Sequence, residues 1–231
     1  MDFPAGISSA HVRQVFQGAA DLTERRLDLH GVAATAFFLD GLTAGKDIAQ
    51  VLLRPAAECL SGSAEEMYRQ CLTGTIWAAV AKEVQDLPTL CSLLVNGFAV
   101  LLFDSIGRAV AFEMKTGEKR IPAPPAVEHT VKGAKDSFTE TVRTNTSLLR
   151  RHLRSPFLRL TEFPVGSKSR TNVAVVWLEG VTPPALVSAL TRRLKGLTVE
   201  SFVTPAAVEE AVTGSRCTAF PLLRPTERTD R

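Results

Sequence analysis

The longest nearly apolar stretch of the chain, residues 91–103, is the feature that most restricts its fold. Asn96-Gly97 interrupts this stretch, and a membrane span needs about 20 consecutive apolar residues. The part before the interruption is typical of a helix closed by a C-terminal glycine, and the part after it is typical of the first strand of a hairpin. The sequence therefore predicts a soluble domain in which a helix is followed directly by a strand.

Composition excludes several classes of protein. The chain has 231 residues, of which 45% are hydrophobic, and its net charge is only +3. This size and apolar content support one large or two small globular domains. A dedicated nucleic-acid binder has a stronger basic excess gathered on one face, so no nucleic-acid partner is expected.

Metal and disulfide chemistry are also not expected. No two of the four cysteines form a CxxC pair, and no histidine pairs with another histidine or cysteine at metal-ligand spacing. The cysteines are Cys59, Cys71, Cys91 and Cys217. Most of them lie in apolar segments, as buried thiols do, and this favours a reducing compartment.

A proline-rich segment, residues 121–125, suggests a division of the chain. Three prolines in four positions favour an extended, stiff linker. Predicted strands and helices lie on both sides of it, without the strict alternation of a doubly wound sheet.

The predicted fold is mixed α/β (α+β): two small lobes in series, each with a β-hairpin and several helices. The predicted segments are a lead-in at 1–20, a first lobe at 21–121, a linker at 122–133, a second lobe at 134–220 and a C-terminal segment at 221–231.

Each predicted lobe contains a hairpin with a recognisable turn. In the first lobe, residues 98–104 and 108–115 flank a short connection with Gly107. In the second lobe, residues 158–165 and 172–179 flank a polar turn that begins at Gly166. Helices are predicted at 47–60, 64–72, 87–95, 183–195 and 205–212, with Pro55 bending or splitting the first of them.

The second lobe is predicted to open with a helix over residues 137–152. Its apolar residues share one face at helical spacing: Phe138, Val142, Leu149 and Leu153. Asn145 falls within this stripe, and a buried amide without partners costs about 1–3 kcal/mol. We therefore expect Asn145 to hydrogen-bond to backbone nearby or to the facing lobe.

The opposite face of this helix carries one acidic and four basic side chains: Glu140, Arg143, Arg150, Arg151 and Arg154. Arginine binds carboxylates and phosphates at two points, so this cationic ridge could dock an acidic partner surface or lipid headgroups, or contact the other lobe. A solvated face with weak local ion pairs explains the same pattern. Both interpretations stay open from the sequence.

Catalytic signatures are not found in the sequence. Residues 41–47 follow a predicted strand and precede a helix, but only three residues separate Gly41 from Gly45, where a P-loop has four. Asp47 stands where the magnesium-binding hydroxyl would be, and its charge would repel phosphate. There is also no GxSxG elbow. We predict no enzyme activity, no catalytic residues and no bound cofactor or metal.

The order of several short motifs is similar to that of the GerA-type spore germinant receptor A subunits. Residues 132–140, with a glycine followed by an acidic-Phe-x-Glu pattern, precede Asn145 and the pair Arg150-Arg151 at the family's spacing. Further matching elements are Phe38-Leu39-Asp40-Gly41-Leu42, Asn96-Gly97, Arg120 with Pro122, Pro125 and Glu128, Gly166, Thr171, the strand at 173–178, and Thr226-Glu227-Arg228. The resemblance spans about Asp21 to Arg231. Ala134 and Thr229 depart from it where proline is usual, and Trp177 where tyrosine is usual.

This resemblance implies a cytosolic N-terminal domain of a larger receptor subunit. Such A subunits continue into several membrane spans, which would here follow Arg231. They act with a transporter-like B subunit and a C-subunit lipoprotein in the spore inner membrane, and a homo-oligomer of A subunits is also conceivable. The domain would then face the spore core and help couple nutrient sensing to germination and ion release.

Two other functions are compatible with the residues themselves. A two-lobed protein could bind a small molecule in the cleft between its lobes, near the proline-rich linker. Nucleic acid could bind the arginine ridge, although the interleaved aromatic residues of single-strand binders are missing. The first of these is the main alternative to a signalling domain.

Overall fold

The computed structural model describes residues 3–43, 45–73, 80–114, 136–197, 205–214 and 223–230. Its architecture is mixed α/β, which confirms the predicted fold class. By their contacts the residues group into two units: Met1–Arg120 with Arg150–Phe157, and Ile121–Leu149 with Leu158–Arg231. The segment Arg150–Phe157 therefore belongs to the first unit, although it follows the predicted linker.

The first unit contains an antiparallel sheet of five strands in the order β1-β2-β4-β5-β3. The strands are β1 (Leu22–Leu29), β2 (Val32–Leu39), β3 (Ala81–Val84), β4 (Phe98–Phe103) and β5 (Arg108–Glu113). His30 and Gly31 join β1 to β2, both with positive φ (55° and 88°), as a tight two-residue hairpin requires.

Helices cover both faces of this sheet. They are α1 (Ser9–Val15), α2 (Gly45–Asp47), a π-helical segment (Ile48–Leu53), α3 (Arg54–Glu58), α4 (Ala64–Thr73) and α5 (Leu87–Val95). The side chains of β4 alternate between two cores: Val100 packs with residues of α1 and α5, and Leu101 packs with residues of α3 and α4. Every residue of β4 is buried because it lies between these two layers.

The predicted helix at 47–60 changes its winding ahead of Pro55. The six residues Ile48–Leu53 are π-helical, and an α-helix of five residues follows. Proline has no N–H to donate, and its ring crowds the carbonyl of the residue four positions earlier. The wider π turn in front of Pro55 accommodates both effects, so the helical segment continues instead of breaking.

The second unit contains a long hairpin and helices. Strands β6 (Leu158–Val165) and β7 (Thr171–Leu178) pair in register over eight residues. The helices are α6 (Val142–His152), which runs on into the first unit, α7 (Pro184–Lys195) and α8 (Pro205–Thr213). Phe163 and Val165 of the hairpin form a small core with Leu194 of α7.

Two features of the predicted helix at 137–152 are wrong. The helix begins at Val142, because residues 136–139 are extended or irregular backbone. Its buried side chains are Thr146, Ser147, Leu148 and Arg150, whereas Leu153 of the predicted apolar stripe is 42% exposed. The apolar stripe predicted from the helical wheel is therefore not the buried face of α6.

Some sequence predictions fall outside the described residues. They concern the proline-rich segment at 121–125 and the linker at 122–133. Within the described ranges, no helix is both long and apolar enough to span a bilayer.

Candidate functional site: the Arg150–Asp21 pair and the two ends of α6

Arg150, in the last turn of α6, forms a buried ion pair with Asp21. Its Nε and Nη2 donate to the two carboxylate oxygens of Asp21 at 2.7 and 2.8 Å. Its Nη1 donates to the backbone oxygen of Ser155 at 3.0 Å. Both side chains are only 1% exposed. The planar guanidinium therefore meets a carboxylate at two points in a site from which water is excluded.

Both partners are fixed by their own elements within the first unit. Asp21 directly precedes β1, and its backbone oxygen accepts a hydrogen bond from the Asp40 N–H at the end of β2. Ser155 lies in the segment that follows α6, whose Phe157 packs against the α1–α5 core. A charge that is buried this completely requires a partner held in place, and the sheet provides one.

The burial of Arg150 contradicts the predicted exposed ridge. A wheel drawn from the apolar stripe had placed Arg150 on the solvent side, but its side chain points into the first unit and is 0% exposed. Asp21 was missed as a site residue because it lies 129 residues away in sequence. Its position at the start of the family resemblance was the only available signal.

The other charged residues of the predicted ridge lie in different surroundings. Arg143 pairs with Glu162 of β6 at 3.2 Å, within the second unit. Arg154 is exposed and donates to Asn96 Oδ1 and to the backbone oxygen of Arg151, both at 3.3 Å. Arg151 is half-buried and Glu140 is exposed. These residues do not form a single cationic face.

Asn145 makes backbone hydrogen bonds of the kind its position predicted. Its Oδ1 accepts from the Thr139 N–H and its Nδ2 donates to the Thr139 oxygen, both at 2.7 Å. These two bonds join the first part of α6 to the chain just before the helix. The amide is thereby satisfied in its half-buried position.

Two segments that carry the family resemblance lie side by side in the second unit. The Phe138 N–H donates to the Glu227 oxygen at 2.8 Å, and Ser137 forms an antiparallel bridge with Arg228. The Thr229 hydroxyl donates to Asp136 Oδ1 at 2.9 Å. Residues 136–138 of the first motif are therefore in contact with residues 227–229, although 93 residues separate Asp136 from Thr229.

The ionisable groups of the described residues do not define a catalytic centre. Burial raises the pKa of the Cys71 and Cys91 thiols to about 12, which keeps them protonated and unreactive. The described ranges contain no group of three or more His, Cys, Asp or Glu side chains able to hold a metal ion. Asp47, in the P-loop-like segment, lies exposed at the end of α2.

A groove of about 400 Å³ lies beside β1 and β2 in the first unit. Its charged lining includes Arg13, Arg26 and Asp104. Both arginines donate to Glu24, and Asp104 accepts from the backbone and the hydroxyl of Ser9. Each of these three charged side chains is therefore already hydrogen-bonded to another residue of the first unit.

Comparison with known proteins identifies the family. The profile described as Bacillus/Clostridium GerA spore germination protein matches residues 10–231. The chain is 26% identical to spore germination protein GerLA of Bacillus cereus, over 95% of this chain and 45% of that protein. It is 25% identical to the uncharacterized membrane protein YfkQ of Bacillus subtilis, over 93% of this chain and 42% of that protein.

The fold is that of a solved germinant-receptor domain. The crystal structure of the N-terminal domain of the A subunit of the Bacillus megaterium spore germinant receptor GerK3 superimposes with a TM-score of 0.70. The match covers 99% of this chain and 88% of that chain, at 20% sequence identity. This protein belongs to the GerA family of spore germination proteins, as its motifs indicate. It spans less than half the length of the curated relatives it matches.

Proposed function

We propose that this chain is the N-terminal signalling domain of a spore germinant receptor A subunit, with no enzymatic activity of its own. The observation that carries the proposal is the family match over residues 10–231. Its relatives are named as spore germination proteins, and its fold is that of a receptor A-subunit domain. The described residues form ion pairs and hydrogen-bonded anchors instead of a catalytic cluster.

The receptor context follows from this assignment. The domain would work beside a transporter-like B subunit and a C-subunit lipoprotein at the spore inner membrane, on the side of the spore core. Further sequence of the A subunit would provide the membrane spans. Self-association of A subunits is a further part of the proposal.

Partner contacts are assigned to the exposed charges at the two ends of α6. Glu140 precedes the helix and Arg154 follows it, both at the surface, with Arg151 partly accessible. Within the second unit, Arg143 and Asn145 order the start of α6 through Glu162 and Thr139. Within the first unit, Arg150 holds the end of α6 through Asp21.

The test is to delete the gene for this protein in the spore-forming bacterium that carries it. Loss of optical density and ion release of the spores are then measured after nutrients are added. We expect the deletion to abolish the response to at least one nutrient, and the wild-type gene to restore it. A charge reversal, Arg154→Glu, should weaken the response severalfold, since like charges across an interface repel. Arg192→Glu, at an exposed arginine in the last turn of α7, is the matched control.

The outcomes separate the candidate functions. Normal germination of the deletion strain with every nutrient tested would reject the receptor assignment. A thermal shift of the isolated chain with a germinant would favour the alternative, a small-molecule sensor. Equal effects of Arg154→Glu and Arg192→Glu would reject the docking role of α6.

A further inference from the structure

Residues 226–230, here called the strap, lie antiparallel to residues 136–138 and are joined to them by one β-bridge and by hydrogen bonds on either side of it. Three consecutive residues of one segment face three consecutive residues of the other, in antiparallel order. Asp136 contacts Thr229 through side chains, Ser137 bridges Arg228, and Phe138 donates its N–H to Glu227. All these residues lie in the second unit. The strap is thus held in a defined register against the chain that leads into α6.

An ion pair also orders the strap internally. Arg228 Nε and Nη2 donate to the two carboxylate oxygens of Asp230 at 2.8 and 2.7 Å. Arg228 is 8% exposed and Thr229 is 3% exposed. The buried side chains of the strap are therefore polar, and a backbone and a side-chain hydrogen bond join the strap to residues 136–138. Contacts of this kind open at a lower free energy than a hydrophobic core.

Hydrogen bonds also connect the segment after Phe138 to α6. Thr139 follows Phe138, and both its N–H and its carbonyl oxygen are bonded to the Asn145 side chain. Asn145 in turn donates its own N–H to the Thr141 oxygen. A hydrogen-bonded path therefore runs from the strap, through residues 136–139, to the first turns of the helix whose far end carries Arg150.

We propose that the strap is a releasable coupling element that transmits movement at the carboxyl-terminal end of this chain to helix α6. When the strap is seated, residues 136–139 are held and the start of α6 is fixed by Asn145. When it is displaced, that segment is freed and the first turns of α6 loosen. The signalling consequence rests on the proposed function, whereas the coupling itself is a property of this chain.

The coupling is tested by hydrogen–deuterium exchange of the chain carrying Thr229→Val. This change removes, at nearly constant volume, the hydroxyl that donates to Asp136 Oδ1 at 2.9 Å and lies 3.4 Å from the Asp136 backbone oxygen. Loss of one hydrogen bond is expected to speed amide exchange about fivefold at residues 138–139 and in the first turns of α6. Thr73→Val, which removes a local hydroxyl bond at the end of α4, is the matched control and should leave these amides unchanged.

A second variant that ends after Pro225 removes the whole strap. It should accelerate exchange further at 136–148 while the amides of β1 and β2 keep their protection. Unchanged exchange at 136–148 in this variant would overturn the coupling. Equal acceleration in β1 and β2 would also overturn it, because the effect would then be general destabilisation.

The receptor provides an independent arm of the test. With Thr229→Val in the full-length protein, we expect the nutrient concentration for half-maximal germination to change severalfold. A normal nutrient response despite faster exchange would reject the signalling role of the strap. A gene deletion without any germination defect would reject the proposed function. The hydrogen–deuterium exchange of the variants would in that case still show whether the strap is coupled to α6.

Discussion

At the scale of single residues, Arg150 shows that a buried charge needs a specific partner, whereas a buried apolar side chain needs only apolar surroundings. Removing a guanidinium from water costs several kcal/mol, and only a well-placed carboxylate offsets that cost. Asp21 supplies both oxygens and Ser155 a third acceptor. The ion pair therefore determines that the last turn of α6 packs next to Asp21.

We predict that Arg150→Ala destabilises the protein by about 3–5 kcal/mol, because Asp21 is left as an unpaired buried charge. Replacing both partners, with Asp21→Leu and Arg150→Met, should recover most of this loss. Urea denaturation measures each variant, and the exposed Arg154→Ala serves as the control, with a change under about 0.5 kcal/mol. A loss for Arg150→Ala no larger than for the control would contradict the structure.

The buried thiols make stability depend on alkaline pH. Desolvation raises the pKa of Cys71 and Cys91 from about 9 to about 12 in the folded chain. The unfolded chain therefore loses these protons above about pH 9, whereas the folded chain retains them until about pH 12. The stabilising contribution is complete below pH 9 and is lost as the pH rises through this window.

We accordingly expect the urea midpoint to fall between pH 8 and pH 11, and to fall less steeply in the double variant Cys71→Ala, Cys91→Ala. Tyrosine and lysine titrations are common to both proteins, so the difference in slope isolates the thiols. Identical slopes would show that the two thiols are not the source.

At the scale of elements, the junction of α5 and β4 depends on one glycine. Asp86 caps the start of α5 by accepting from the Thr89 N–H, and Asn96 closes its end. Gly97 then adopts φ +82°, and β4 begins at the next residue. This conformation turns the chain directly from an outer layer into the centre of the sheet, where every β4 side chain is buried.

Gly97→Ala should cost about 1–2 kcal/mol, because a Cβ is unfavourable in the left-handed region. Gly62→Ala is the comparison, since no atom lies within 4 Å of a Cβ added there and its φ is not positive. That control should change stability by less than about 0.5 kcal/mol. Thermal unfolding of both variants provides the measurement, and equal melting temperatures would argue against a strained turn at position 97.

At the scale of the whole molecule, the family match treats the chain as one region, whereas the contacts between residues divide it into two units. The match extends from residue 10 to residue 231, whereas the contacts separate two units between which the chain passes more than once. Helix α6 belongs to both units, with Arg150 anchored in the first and Asn145 in the second.

The sequence alone determined the elements whose causes are local. Hairpins, the α5–β4 junction and the start of α7 at Pro184 depend on turn residues and on apolar spacing within a few positions, so their bounds were predicted closely. The order of the short motifs likewise indicated the family. For Asn145, the cost of an unsatisfied amide was enough to predict a backbone partner, which is Thr139.

Only the tertiary structure decided the features that depend on distant partners. A helical wheel places an arginine on the solvent side by default, and nothing near Arg150 in sequence indicates that Asp21 neutralises it from 129 residues away. The start of α6 depends in the same way on the strap, because pairing with residues 227–229 draws residues 136–138 into extended backbone. Local spacing fixes what a segment can become, whereas long-range pairing selects the face it buries and the residue at which it begins.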